Sequence, residues 1–387
     1  MKTYRYFVLG AGMQGRACAF DMLRNPAVSQ VLLADGSEKA LAFARRYLKS
    51  KKVKTLKLDA GDAARVAKLA RGYDCLVSCV PYFFNLALAK AALSARTNFV
   101  DLGGNTDIVR KELALHCKAR QAGVTLIPDV GLGPGMINTI AAHGISLMDK
   151  AEEVLIRDCG LPQKPAPPMN YMLTFSEHGL INEYVEDATA LRNGKRVKVG
   201  GLSETETIDL PAPLGRLEAA HASGGLSTMA WTYEGKVKTM DNKLMRYPGH
   251  IAVINAMQAM GFFSQEKVRI GNVDIAPRAL SAHLFRKHFD RPGDKDIVAI
   301  RVTVRGRKDG KKAEVVYTML DKYDEKHQMT AMMRTTGFPA SIVAQMLGEG
   351  RVKPGAYPVE VGVPPEPFFR EGKKRGFNLS WKFRFIK

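Results

Sequence analysis

The alternation of apolar and polar residues divides the chain into two parts. Up to about residue 130, short apolar runs alternate with longer amphipathic stretches, a pattern typical of strands and helices in turn. This alternation predicts a parallel sheet with helices on both faces, and ligands of such sheets bind beyond the carboxyl ends of the strands. The residues predicted at those ends are Asp35, Asp59, Pro81, Asp101 and Asp129.

Beyond about residue 150 the alternation stops, and the pattern predicts a mixed sheet with a few helices. We expect strands over Glu153–Asp158 and Met169–Phe175, hairpins at Asn193–Lys195 and Lys308–Gly310, and helices over Pro248–Met260, Ala276–His288 and Pro339–Leu347. The predicted fold class is therefore α/β. A Rossmann-type doubly wound parallel sheet over residues 1–130, completed by 337–387, is joined to an α+β second domain with a mixed sheet over 131–336. We expect the second domain to bind substrate and to form a homodimer.

The first predicted strand leads into a glycine-rich turn and an amphipathic stretch. The turn reads Gly10-Ala11-Gly12-Met13-Gln14-Gly15, the spacing of the dinucleotide-binding fingerprint. In that fingerprint the first glycine permits a tight turn, the second admits the pyrophosphate, and the third lets the helix pack on the strand. The helix amino terminus then holds the diphosphate, because its free N–H groups and macrodipole favour negative charge.

The strand that follows ends at Asp35, where a carboxylate accepts hydrogen bonds from the adenosine ribose and repels a 2′-phosphate. No arginine comes directly after it, although Lys39 is near. The sequence therefore predicts NAD, with NADP as the less favoured alternative. Residues at the ends of later strands are also expected to contact the cofactor: Asp59, Cys79, Val80, Pro81, Asp101 and Leu102.

The net charge of +20 raises the question of a nucleic-acid partner. The basic clusters are short, at 49–54, 305–312 and 373–375, and no nucleic-acid motif or interleaved aromatic residue accompanies them. We interpret them as solvated surface with weak attraction to polyanions, and we expect no specific nucleic acid.

Location and metal content are also predicted. The chain has no apolar run approaching the ~20 residues of a membrane span and no signal-peptide cleavage site, so we expect a cytoplasmic protein without membrane contact. Five scattered cysteines predict buried, reduced thiols and no metal site.

Several further motifs resemble those of the saccharopine dehydrogenase family, from the N-terminus to about residue 365. They are Val80-Pro81-Tyr82, Leu102-Gly103-Gly104-Asn105, Pro128-Asp129-Val130-Gly131-Leu132-Gly133-Pro134-Gly135-Met136, Cys159-Gly160-Leu161-Pro162-Gln163, Asn170-Tyr171, Phe175–Tyr184, Ser223–Thr228 and Arg246–His250. Within that family the motifs look most like those of lysine 6-dehydrogenases. Two segments fit less well, Leu217–Ala222 and Met240–Lys243, and both are expected to border the substrate.

The resemblance implies oxidative deamination of the side-chain amine of lysine by NAD, giving an aldehyde that cyclises, and ammonia. Such chemistry needs a base, a cation for the α-carboxylate and acceptors for the α-ammonium. The alternatives are a saccharopine or carboxynorspermidine dehydrogenase, which needs further arginines such as Arg192 and Arg216, and a non-catalytic NAD-binding dimer.

On this hypothesis Asp129 and His250 are the catalytic candidates and Arg246 binds the substrate carboxylate. Further pocket candidates are Tyr171, Glu183, Tyr184, Ser223 and Thr228. Each has a structural alternative: Asp129 as a turn cap, Arg246 in an ion pair, His250 and the tyrosines in packing, and Glu183 as a solvated acid.

Overall fold

In the computed structural model, which describes residues 2–387, strands and helices alternate up to Ser146. The elements are β1 (Tyr4–Leu9), α1 (Met13–Leu23), β2 (Val28–Asp35), α2 (Glu38–Leu48), β3 (Val53–Lys57), α3 (Ala63–Ala70), β4 (Cys75–Ser78), a 3₁₀ turn (Tyr82–Phe84), α4 (Asn85–Ala95), β5 (Asn98–Asp101), α5 (Thr106–Leu113), α6 (His116–Ala122), β6 (Thr125–Ile127) and α7 (Met136–Ser146).

The middle of the chain is richer in strands. Its elements are β7 (Lys150–Pro162), α8 (Glu177–Val185), β8 (Ala188–Arg192), β9 (Lys195–Val199), β10 (Glu206–Leu210), β11 (Gly215–His221), α9 (Met229–Thr232), β12 (Thr239–Arg246), α10 (His250–Ala259), β13 (Val268–Ile270), β14 (Val273–Ile275), α11 (Pro277–Phe289), β15 (Asp296–Lys308) and β16 (Lys311–Lys322). The last elements are α12 (Ala331–Gly348), β17 (Gly355–Ala356), α13 (Val359–Gly362), α14 (Pro365–Lys374) and β18 (Ser380–Phe385).

The chain divides into two compact units. The first comprises the chain up to His143, Ser227–Met229 and Met333–Phe377, and the second comprises Gly144–Leu226, Ala230–Met332 and Asn378–Lys387. The expected boundaries were 130 and 337, whereas the observed ones lie at 143 and 333. The last ten residues were expected with the first domain but lie in the second unit, because β18 pairs antiparallel with β16.

The sheet of the first unit has seven strands in the order β3-β2-β1-β4-β5-β6-β17, and all its pairs are parallel. The order reverses between β1 and β4, where Gly10 and Cys79 follow the strand ends. This is the topological switch point at which such sheets bind ligands. The side chains of β1 and β4 are almost all fully buried, as expected for a sheet covered on both faces.

The second unit has a nine-stranded mixed sheet. Its main path runs β10-β11-β12-β7-β15-β16-β18, β8 pairs with β12 and β9, and only the pair β12–β7 is parallel. Helices α8, α10 and α11 contribute Leu180, Ile251 and Phe285 to a core with strand residues such as Leu217 and Ile297. The predicted fold class, a doubly wound parallel sheet with an α+β second domain, is confirmed.

Two local predictions are wrong. Met169–Phe175 is not a strand, because no neighbouring strand pairs with it. Its backbone makes single hydrogen bonds instead: Arg291 donates to the Tyr171 oxygen, and Leu173 N donates to the Phe289 oxygen. The helix expected from Pro339 begins at Ala331, since Asp296 accepts hydrogen bonds from the N–H groups of Ala331 and Met332 and thus caps it.

Helices α5 and α6 are separate, because the chain turns at Ala114 and buries Leu115. Of the cysteines, Cys18, Cys75 and Cys159 are buried as expected, Cys79 is partly buried, and Cys117 is exposed. Among residues 2–387, no helix combines the length and the apolar composition needed to span a bilayer.

Candidate active site

The turn between β1 and α1 is shaped by its three glycines. Gly10 has φ +105°, and a Cβ there would lie 2.5 Å from the carbonyl oxygen of Cys79. A Cβ on Gly15 would lie 1.8 Å from the Gly10 oxygen, whereas one on Gly12 would meet nothing within 4 Å. Gly12 precedes α1 without a side-chain cap, so the first N–H groups of the helix remain free for a ligand. The turn therefore fits a diphosphate.

Asp35 is attached to this turn. Its Oδ2 accepts a hydrogen bond from Ala11 N at 2.7 Å, and its Oδ1 accepts one from Ser37 N at 2.7 Å. The carboxylate is partly exposed, so its remaining lone pairs face solvent at the end of β2. It lies where the sequence expects the adenosine ribose.

The other predicted cofactor residues have different surroundings. Asp59 and Pro81 are exposed, and Cys79, Val80 and Leu102 are partly buried after their strands. Asp101 is fully buried, and its Oδ1 accepts hydrogen bonds from Gly103 N at 2.6 Å and Asp129 N at 3.1 Å. Its carboxyl therefore organises the backbone around Asp129.

Asp129 is held in an unusual conformation. It has φ +63°, a region that residues other than glycine seldom adopt, and it is only 2% exposed. The Ser227 hydroxyl donates a hydrogen bond to Asp129 Oδ2. Burial and the nearby Asp101 raise the pKa of the Asp129 carboxyl well above its usual value. Buried strain and a raised pKa together are typical of functional carboxyls.

A pair of buried carboxyls, Asp101 and Glu112, lies close to Asp129 in the first unit. Asp101 Oδ2 and both oxygens of Glu112 meet no N–H or O–H donor among residues 2–387, and these two carboxyls face each other. Burial raises the pKa of Asp101 to about 6, and burial with the adjacent Asp101 raises the pKa of Glu112 further. Two buried carboxyls in contact share a proton, so the pair holds one near neutral pH. Glu112 was not predicted, because only the fold brings this side chain of α5 to Asp101 at the end of β5.

The second unit contains a buried arginine in an aromatic setting. Arg246 ends β12 and is only 2% exposed, with its Nε donating to the Tyr184 hydroxyl at 3.0 Å. Its guanidinium carbon lies 5.0 Å from the ring centre of Tyr171 and 5.5 Å from that of Tyr184. Both rings attract a cation, and Arg246 remains charged at every relevant pH.

His250 lies against the same tyrosines. Its Nε2 is 3.0 Å from the Tyr184 hydroxyl, and its Nδ1 is 3.1 Å from the carbonyl oxygen of Met169. Burial, with the positive Arg246 nearby, lowers the pKa of His250 to about 3. The imidazole is therefore neutral at physiological pH and is a hydrogen-bond partner of Tyr184.

Two acids lie near Arg246. Glu183 Oε2 is buried and meets no donor among residues 2–387, and burial raises the pKa of Glu183 to about 8. Asp158 accepts a hydrogen bond from Asn242 Nδ2 at 2.7 Å, and burial raises its pKa to about 6. Asp158 and Asn242 were not predicted. Asp158 directly precedes the motif that begins at Cys159, and Asn242 lies in a segment that fits the family less well. Their signal was strand alternation, which places residues 242 and 246 of β12 on one face.

Each of the two segments that fit the family less well contributes side chains to the face of the sheet opposite Arg246. Asp241 and Lys243 point away from Asn242, and Asp241 bonds Arg157 Nη1 at 2.7 Å. Lys243 donates to the backbone of Glu204, whose carboxylate is 3.0 Å from His221 Nε2. Asp241, Lys243 and His221 therefore belong to a structural ion network, whereas Asn242 and Glu218, which is opposite Arg246 in the antiparallel pair β11–β12, lie on the side of Arg246.

The structure thus gathers Tyr171, Glu183, Tyr184, Arg246 and His250 in the second unit. Ser223 lies in the same unit, but its hydroxyl donates to the backbone oxygen of Asn182 at 3.2 Å. Thr228 belongs to the first unit, where its hydroxyl donates to Glu360 at 3.0 Å. Among residues 2–387, no group of three His, Cys, Asp or Glu side chains is arranged to hold a metal ion.

Comparison with known proteins identifies similar domains in the same order. Residues 6–127 match the saccharopine dehydrogenase NADP binding domain, and residues 131–377 match the saccharopine dehydrogenase C-terminal domain. The solved structure of apo saccharopine dehydrogenase (L-Glu forming) from Saccharomyces cerevisiae superimposes with a TM-score of 0.77 at 18% identity, covering 98% of this chain and 100% of that one. Homospermidine synthase from Legionella pneumophila, solved in complex with NAD, gives 0.68 at 13% identity, covering 98% and 91%. At these identities the structural likeness shows the fold alone.

Curated relatives span several activities. The mitochondrial alpha-aminoadipic semialdehyde synthase of Bos taurus is 21% identical over 90% of this chain, and the chain spans only 44% of that protein. Carboxynorspermidine synthase from Vibrio cholerae is 24% identical, covering 86% of this chain and 83% of its own length. The NADP-dependent, L-glutamate-forming saccharopine dehydrogenase of Saccharomyces cerevisiae is 26% identical over 67% of this chain and 59% of its own.

Proposed function

Since the chain belongs to the saccharopine dehydrogenase family, we propose that it is an NAD-dependent dehydrogenase that oxidatively deaminates the side-chain amine of L-lysine. The first unit carries the NAD(P)-binding domain of that family. We assign cofactor binding and proton removal to the first unit, and recognition of the amino-acid head group to the second.

The observation that carries the proposal is that a buried guanidinium, Arg246, and a buried carboxyl oxygen without a donor, Glu183 Oε2, lie near each other in the second unit. A buried, permanently charged guanidinium suits an α-carboxylate, and a buried carboxyl oxygen without a donor suits an α-ammonium. Buried polar atoms without partners are costly, so the unpaired Glu183 Oε2 suits a ligand that completes its hydrogen bonds. A free amino acid supplies both charges at one carbon.

Asp129 is the group that removes the proton from the substrate amine. The ammonium must lose a proton before its carbon can release hydride, and a carboxylate with a raised pKa is a stronger base than an ordinary aspartate. The Ser227 hydroxyl donates to Oδ2 and so holds the carboxyl in place. When bound, the nicotinamide accepts the hydride. Loss of one proton and a hydride from the ammonium form leaves a protonated imine, which water hydrolyses to the aldehyde and ammonium.

His250 has a positioning role in this proposal instead of the base role that the sequence suggested. A histidine with a pKa of about 3 takes up almost no protons at neutral pH. Its bond to the Tyr184 hydroxyl instead holds the phenol that Arg246 Nε contacts. The orientation of the carboxylate-binding guanidinium therefore depends on His250.

NAD is favoured over NADP by Asp35. Its carboxylate is fixed to the Ala11 N–H, so it cannot rotate away from a 2′-phosphate without losing that hydrogen bond. The family description and the yeast relative name NADP, which makes cofactor choice a separate question from reaction type.

Saccharopine and carboxynorspermidine are the alternative substrates, and the relatives with those names support them. Saccharopine carries further carboxylates, each of which needs a cation. The two arginines considered for this task are already paired, Arg192 with Glu204 at 2.8 Å and Arg216 with Asp209 at 3.0 Å. This pairing favours the substrate with a single carboxylate.

The test is direct. Purified protein is mixed with NAD or NADP and, separately, L-lysine, saccharopine and carboxynorspermidine, and nicotinamide reduction is followed at 340 nm, the absorbance of reduced nicotinamide. We expect turnover with lysine and NAD and release of ammonia. Turnover of saccharopine without lysine would overturn the substrate, and cofactor binding without turnover of any amine would favour the non-catalytic alternative.

A further inference from the structure

Asp101 ties the turn at Gly103 to the segment that carries Asp129. Its Oδ1 accepts hydrogen bonds from Gly103 N at 2.6 Å and from Asp129 N at 3.1 Å, and its backbone oxygen accepts one from Val130 N at 2.7 Å. Gly103 and Asp129 have φ +73° and +63°, and such backbone conformations persist only where the surroundings hold them. The position of the Asp129 carboxylate therefore depends on Asp101.

Glu112 of α5 lies against the carboxyl of Asp101. It is only 1% exposed, and neither of its oxygens meets an N–H or O–H donor among residues 2–387. Asp101 is fully buried, and its Oδ2 likewise meets no donor in the described part of the chain. The two carboxyls hydrogen-bond to each other, which requires a proton, because a pair of carboxylates offers acceptors alone. A proton also removes the repulsion between two buried negative charges.

The hydrogen bonds of the pair locate this proton on Glu112. Two backbone N–H groups donate to Asp101, and such bonds stabilise the ionised form of a carboxyl. Glu112 accepts no backbone bond, and the neighbouring charges of Asp101 and Asp129 both oppose its ionisation. The pKa values agree in direction: burial raises the pKa of Asp101 to about 6, whereas burial and the adjacent Asp101 raise the pKa of Glu112 well above that.

We propose that Glu112 is a positioning residue for amine oxidation: its carboxylic acid donates a hydrogen bond to Asp101 Oδ2, and Asp101 thereby remains the ionised acceptor that fixes Gly103 and Asp129. The inference rests on the proposed function, since it takes Asp129 as the base. Glu112 acts through Asp101 and has no direct contact with substrate in this role.

Loss of the Glu112 donor has a defined consequence. Asp101 would then either bury an oxygen without a partner, which is costly, or take up the proton itself. A neutral carboxyl accepts hydrogen bonds more weakly than a carboxylate does, so its hold on Gly103 N and Asp129 N would loosen. A residue that only fills space at position 112 predicts neither effect.

Two substitutions of similar size separate hydrogen bonding from packing. Glu112→Gln keeps a donor, because its amide N–H replaces the acid O–H, so kcat/KM for amine oxidation should stay within about threefold of the wild type. Glu112→Leu has no donor, so kcat/KM should fall by about tenfold or more as Asp129 shifts. Asp107→Leu, which changes an exposed acid of the same helix, is the control and should leave kcat/KM unchanged. Far-UV circular dichroism verifies that each variant is folded.

Infrared spectroscopy tests the proton without any substrate. A protonated carboxyl has a C=O stretch above the amide band, and the wild type at neutral pH should show such a band that Glu112→Gln removes and Asp107→Leu retains. Absence of turnover with any amine would refute the proposed function, whereas the infrared band decides independently whether Glu112 holds the proton. A spectrum that Glu112→Gln leaves unaltered, or equal losses of activity in Glu112→Gln and Glu112→Leu, would overturn the inference.

Discussion

Gly103 leaves the space that the carboxylate of Asp129 occupies. A Cβ on Gly103 would lie 1.8 Å from Asp129 Oδ1, closer than any two such atoms can approach. Glycine at position 103 is therefore required for the observed position of the Asp129 carboxylate, the proposed base.

Replacing Gly103 with alanine should therefore displace Asp129. We expect kcat/KM for amine oxidation to fall by about 100-fold or more, since small misplacements of a reacting group are costly. Gly103 also has φ +73°, which alanine tolerates poorly, so the control is Gly123→Ala. Gly123 has φ +71° and nothing within 4 Å of the added Cβ, so it carries the same backbone penalty without the clash. Equal losses in both variants would show that the contact with Asp129 is unimportant.

Amine oxidation should accelerate with rising pH. A raised pKa means that Asp129 keeps its proton to higher pH than an ordinary aspartate, and only the ionised carboxylate accepts a proton. The pH profile of kcat/KM should therefore rise through a pKa well above that of a free aspartate. Asp129→Asn should reduce turnover at least about 100-fold and remove this limb of the profile. Unchanged turnover in Asp129→Asn would exclude Asp129 as the base.

Binding of lysine should release a proton. Glu183 has a pKa of about 8, so in the free protein it is largely protonated at neutral pH, and an α-ammonium would stabilise its ionised form. Below pH 8 the affinity should rise with pH, and the calorimetric enthalpy should depend on the ionisation enthalpy of the buffer. Glu183→Gln should abolish that dependence, whereas Glu186→Gln, a change of an exposed acid on the same helix end, should preserve it. A buffer-independent enthalpy in the wild type would contradict this role.

Arg246 should determine selectivity for a substrate carboxylate. Cadaverine is lysine without its carboxylate, so the wild type should prefer lysine to cadaverine by about 2–4 kcal/mol. Arg246→Lys should lose most of that preference, because a lysine ammonium cannot form a bidentate pair. The ratio of kcat/KM for the two amines is the measurement, since a purely structural defect lowers both values together. The control is Arg216→Lys, at an exposed arginine of the same unit that pairs with Asp209.

Asp35 should control cofactor choice. Asp35→Ser removes the charge that repels a 2′-phosphate, so KM for NADP should fall and KM for NAD should rise, each by about tenfold. Glu38→Gln is the control, because Glu38 is an exposed acid close in sequence that pairs with Arg45. An unaltered preference in Asp35→Ser, or a preference of the wild type for NADP, would refute the assignment.

The sequence by itself determined the features that depend on neighbours along the chain. The glycine turn, the strand of Asp35 and the alternation of strands with helices are local patterns, and they predicted the parallel sheet correctly. The family was identified correctly from the resemblance of the later motifs. Helix α11 was predicted to within one residue at each end, Ala276–His288 against the observed Pro277–Phe289. The same local logic failed at Met169–Phe175, whose β-prone residues pack into the core without a neighbouring strand to pair with.

Only the tertiary structure decided which polar groups are buried together. Glu112 of α5 meets Asp101 at the end of β5, and Asn242 of β12 meets Asp158 of the adjacent parallel strand β7. The sequence pattern predicts neither contact. Burial also decides charge, since it makes His250 too weak a base for neutral pH and makes Glu183 and Asp129 stronger bases than usual. The pKa of a group depends on the dielectric and the charges around it, and these arise from residues that are distant in the chain.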